Sequence, residues 1–86
     1  MTPAALTILA MDDNVREAKR LHRLGKMPLA AVAAVRLSRM ALALVNGEPD
    51  AVDRAEWDRL TPAAKRVRLL QAQLDVLLPK EPEATQ

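Results

Sequence analysis

Apolar residues along this chain recur every three or four positions rather than every two, the spacing of helical faces and not of strands. Thr2-Pro3 has the form of an N-cap followed by proline at the first helical position, and predicts a short helix over 3–11 with Leu6, Leu9 and Ala10 inward. The polar cluster Asp12-Asp13-Asn14 reads as a break, with the aspartates acting as caps. Asn14 to Glu17 has capping-box spacing and predicts a second helix to Leu24, apolar at Val15, Ala18, Leu21 and Leu24 and ended by Gly25. Pro28 opens a third over about 28–45, apolar around two thirds of its circumference. A helix of that kind needs cover on several sides, and is expected at the centre of the fold.

Asn46-Gly47-Glu48-Pro49 is a turn, after which Asp50 caps a short helix through Trp57. Thr61-Pro62 repeats the opening signal of the N-terminus. The helix that follows, 62–78, has Leu60, Val67 and Leu74 at one heptad position and Ala63, Leu70 and Leu77 at the other, a single long packing seam. The expected architecture is an all-α bundle of three main helices plus one or two short ones. Residues 1–78 form a single domain, and 79–86, after Pro79, form a polar tail.

Composition agrees. Sixteen Ala and fourteen Leu favour helix, and Trp57 is the only aromatic. The alanines lower the burial payload, so the core is expected to be marginal and to be completed by a second copy of the chain or by a partner, with a homodimer expected. The dimer contact is expected at Leu37 and Leu44, or at Val67, Leu70, Leu74 and Leu77; Leu70→Asp is expected to destroy assembly, folding or both. The arginine and alanine excess suggests a bacterial or phage source.

Charge changes the picture by its distribution, since the net value is only +2. Residues 15–47 hold seven basic side chains against Glu17 alone, while 48–60 is net acidic. Arg16, Lys19, Arg20 and Arg23 lie opposite the apolar positions of their helix and are expected to face solvent or a partner. Most such stripes are only solvated faces; as a functional surface this one would steer the chain to an acidic protein.

Candidate chemistry is sparse. Without Cys, with His22 as the single histidine and with only Gly25 and Gly47, the chain offers no triad, ligand cluster or phosphate loop. No enzyme activity, cofactor or metal site is expected. No 18 consecutive uncharged apolar residues occur and no basic leader precedes the first apolar stretch, so neither a membrane span nor a signal peptide is expected, and a cytoplasmic location is the default expectation. The opening Leu60-Thr61-Pro62 is faintly similar to the start of LuxR-type DNA-binding domains. Such a domain continues with two more helices, whereas here one follows, so that reading is not adopted.

The functional expectation is a non-enzymatic protein–protein interaction module (adaptor, inhibitor or regulator) that buries apolar helix faces. The alternative is a nucleic-acid-associated regulator gripping phosphates through Arg16, Lys19, Arg20, Arg23 and Lys26. Trp57 either plugs the gap beneath its short helix or anchors a partner, and its exposure decides which.

Overall fold

A computed structural model describes residues 1–78, so the tail at 79–86 lies outside the described residues. The described residues form an all-α bundle of four helices: α1 (Pro3–Arg23), α2 (Leu29–Asn46), α3 (Ala51–Arg59) and α4 (Pro62–Leu77).

The helix ends follow their local chemistry. The hydroxyls of Thr2 and Thr61 accept from the backbone N–H of Ala5 and Ala64 at 3.1 and 3.2 Å, each ahead of a proline whose missing N–H costs nothing there. The Asp50 carboxylate accepts from the N–H of Asp53 at 2.8 Å. Past the end of α1, Gly25 takes φ +71°, its N–H reaching the carbonyl of His22 while that of Lys26 reaches Leu21. This paired closure is a Schellman motif, and it turns the chain sharply. The His22 ring lies 2.8 Å from the Met27 carbonyl, which fastens the same turn.

Two expectations are corrected. The helices expected over 3–11 and 14–24 are one uninterrupted α1, and the Asn14–Glu17 box caps nothing, because that segment is helix interior. Neither glycine nor proline interrupts 12–14, and the modest propensity cost of Asp and Asn is outweighed by the distant partners their side chains find. The central helix is α1, not α2. Each of the other three packs on α1, and the substantial interhelical contacts all involve it.

The core is correspondingly small. Ala5, Leu6, Ile8, Leu9 and Ala18 of α1 are buried, joined by Val32 of α2 and Trp57 of α3; α4 contributes no fully buried residue. Leu6, Leu9 and Trp57 form one cluster, with Met1, Ala10, Leu60, Leu69 and Ala72 packed around it. The molecule is elongated, 57 × 25 × 23 Å.

Candidate functional site

Two adjacent carboxylates in the middle of α1 hold the arms in place. Asp12 accepts from Arg39 Nε of α2 at 2.7 Å and from Arg54 Nη1 of α3 at 2.9 Å. Arg39 also forks onto both oxygens of Glu48 at 2.6 and 2.7 Å, tying down the α2–α3 turn. Asp13 accepts from the Trp57 indole N–H at 3.0 Å and from Lys65 Nζ of α4 at 2.8 Å, while the Lys65 ammonium lies 5.0 Å above the indole ring. The two aspartates therefore reach all three other helices. They are tertiary ties, not the helix caps expected from sequence, and the pair misread as a break is the centre of the polar framework.

The electrostatics follow from these contacts. Partial burial pushes the Asp12 pKa up, but hydrogen bonds from Arg39 and Arg54, together with their charges, more than reverse this and leave it below the usual carboxylate value. Glu48 is held low chiefly by its bond from Arg39, and Arg39 is raised by Glu48 and then by Asp12.

Trp57 settles the question its sequence left open. At 2% exposure it fills the gap between α3 and the bundle, so it presents no surface to anchor a partner. Its N–H is satisfied by Asp13, as a buried indole requires.

The apolar rows stand the other way. On α4, Leu69 and Ala72 turn toward α1, whereas the expected seam of Val67, Leu70, Leu74 and Leu77 is exposed along its whole length, together with Ala63. On α2, Leu37 and Leu44 are exposed as well, Leu44 by 88%, in a row with Ala30, Ala33 and Met40 that repeats the heptad spacing. Both rows are free of charged residues, and neither is covered by another part of the described chain. Because Leu70 faces solvent, the expectation that Leu70→Asp breaks the fold itself loses its basis.

Arg16, Lys19, Arg20 and Arg23 are exposed on the half of α1 beyond α3 and α4, and Lys26 is exposed in the turn. Their charge is partly neutralised on site: Arg16 lies 3.5 Å from Asp13, and Arg20 forks onto Glu17 at 2.6 and 3.1 Å, which also lowers the Glu17 pKa. Among the described residues, Lys19, Arg23 and Lys26 have no carboxylate within ion-pair distance. Sequence counting missed this division, since Arg39 too is consumed by the framework.

Among the described residues, no cluster of three or more His, Cys, Asp or Glu side chains is placed to hold a metal ion. The surface hollows are shallow; one of about 400 Å³ runs between α1 and α4, lined by Pro3, Thr7, Leu69, Ala72, Gln73, Val76 and Leu77. By length and composition α2 is apolar enough to cross a membrane, although Arg36 and Arg39 keep it from being an uncharged run. No protein-family model matches the chain, and neither a curated protein nor a solved structure matches it.

Proposed function

We propose that this chain is a non-enzymatic interaction module, an adaptor, inhibitor or regulator that acts by burying an apolar helix face against another protein. The observation that carries the reading is the pair of uncharged heptad rows on α2 and α4, both left open by the packing of the described residues. Soluble monomers rarely leave contiguous apolar patches beyond a few hundred Å² in water, and larger ones mark interaction surfaces. The basic residues of α1 supply steering toward an acidic target, with Lys19, Arg23 and Lys26 the most available because acidic neighbours occupy Arg16 and Arg20.

Co-purification from the native host tests this, comparing wild type, Leu70→Asp with Leu74→Asp, and Lys19→Glu with Arg23→Glu. A specific protein should be retained by wild type and lost with the α4 pair. The charge pair should slow its association at low salt, an effect that fades near about 0.5 M salt where exposed charges are screened. Retention of duplex DNA that falls steeply with salt and vanishes with the charge pair would favour phosphate binding instead. No change in any of these assays would leave the basic segment a solvated face and the reading without support.

A further inference from the structure

The face of α2 turned away from α1 is uncharged and uncovered over an arc of about 160° at 100° per residue, running from Leu29 to Val45. We infer that this face pairs with the same face of a second copy, antiparallel across a twofold axis between residues 38 and 39. The inference deepens the interaction-module reading by naming one occupant, and rests on it only for the premise that an open apolar row is a contact surface.

Three observations select a second copy. The first is area: Leu29, Leu37, Met40, Leu44 and Val45 expose between 60 and 88% of their surfaces. Together they present on the order of 600 Å², most of the ~800 Å² that each side of a standard interface contributes.

The second is shape. The heptad row is small at its N-terminal end (Ala30, Ala33) and large toward its C-terminal end (Leu37, Met40, Leu44). Antiparallel pairing sets Ala33 against Leu44 of the partner subunit and Leu37 against Met40 of the partner subunit, large on small or of matched size in each layer. Parallel pairing would leave an alanine gap at one end and crowd leucines at the other. Ala34 and Ala41 flank the row and let the backbones approach closely.

The third is charge. The row itself carries none, the exposed Arg36 lying at its border beside Leu29, and Arg39 is withdrawn to Asp12 and Glu48 on the far side of the helix. Arg36 and Arg39 also argue against a bilayer as the occupant, since two arginines in the middle of the helix would have to be carried into hydrocarbon, where a guanidinium is strongly disfavoured.

Light scattering across about 1–100 µM, with and without anionic phospholipid vesicles, reads the assembly. The expected mass is twice 9.5 kDa, falling to that of one chain in Leu44→Asp and unaltered in Leu70→Asp with Leu74→Asp. The chain has no cysteine, so orientation is read by oxidation of single-cysteine variants. Ala33→Cys mixed with Leu44→Cys should give a cross-linked dimer that reductant reverses, because antiparallel pairing brings their Cα atoms within the ~7 Å a disulfide spans, while each alone should run as monomer on a non-reducing gel. The cross-link pattern also decides the case if Leu44→Asp fails to fold. A 9.5 kDa wild type throughout, a monomer held on vesicles, self-cross-linking of Ala33→Cys alone, or a dimer abolished by the α4 pair would each overturn the pairing. Host-protein capture lost with the α4 pair would leave the broader reading standing in any of those cases.

Discussion

At the scale of single residues, Asp12 and Asp13 carry more of the fold than their exposed-looking sequence implies. Asp13→Ala removes the acceptor of a buried indole N–H and the partner of Lys65. An unsatisfied buried donor costs about 1–3 kcal/mol, and urea denaturation should show a loss in that range, larger than for Asp58→Ala at an exposed position. Asp12 gives a pH dependence whose sign follows from its depressed pKa. A group titrating lower when folded stabilises the protein above its unfolded pKa of about 3.9, and that contribution is lost as pH falls through the folded value. Thermal melts should therefore lose stability on acidification below about pH 4, and Asp12→Asn should be less stable at pH 7 while showing a shallower acid limb. An acid limb as steep in the variant as in wild type would remove Asp12 from that role.

At the scale of elements, the helix ends were legible in the sequence because their signals are local. Thr-Pro at two starts, Asp50 before α3 and Gly25 after α1 each act within three or four residues of themselves. The carboxylate framework was not legible, since Asp12 and Asp13 find partners 27 to 52 residues away and in sequence look only like a polar interruption. The heptad rows were visible as periodicity, but periodicity does not say which stripe of a helix turns inward. On α4 the side facing α1 is built from Lys65, Leu69 and Ala72, a shorter and more mixed pattern than the leucine row on its back. This arrangement makes a contrast that calorimetry can read. Leu74→Asp should change monomer stability by no more than about 0.5 kcal/mol, as exposed substitutions do, whereas Leu9→Ala in the cluster with Trp57 should cost about 2–5 kcal/mol. The reverse order would mean that the leucine row is internal.

At the scale of the whole molecule, the arms meet on α1, and α3 and α4 are also tied to each other by Lys65 over the Trp57 ring and by the Arg68–Glu56 pair, so α2 can part from α1 separately from the α3–α4 side. The α1–α2 hairpin has the larger shared surface and a short fastened turn, while α4 docks through half-buried side chains and two ion pairs, Lys65 to Asp13 of α1 and the more exposed Arg68 to Glu56 of α3. Hydrogen exchange should therefore protect the amides of α1 around Ile8 and Leu9 most strongly and release those of α4 first. Equal protection of α4 and α1 would show that the bundle opens as one unit. Trp57 adds an optical consequence. As the sole aromatic, sealed beneath α3 with Asp13 at its edge and Lys65 over its face, it is the only strong ultraviolet emitter the chain possesses. Its emission maximum should stay blue-shifted while α3 and α4 remain docked and move red when they detach. The outer face of α2 lies on the arm that does not cover the indole, so self-association there should leave the spectrum unchanged. One native chromophore thus separates loss of an arm from gain of a partner, with no label attached.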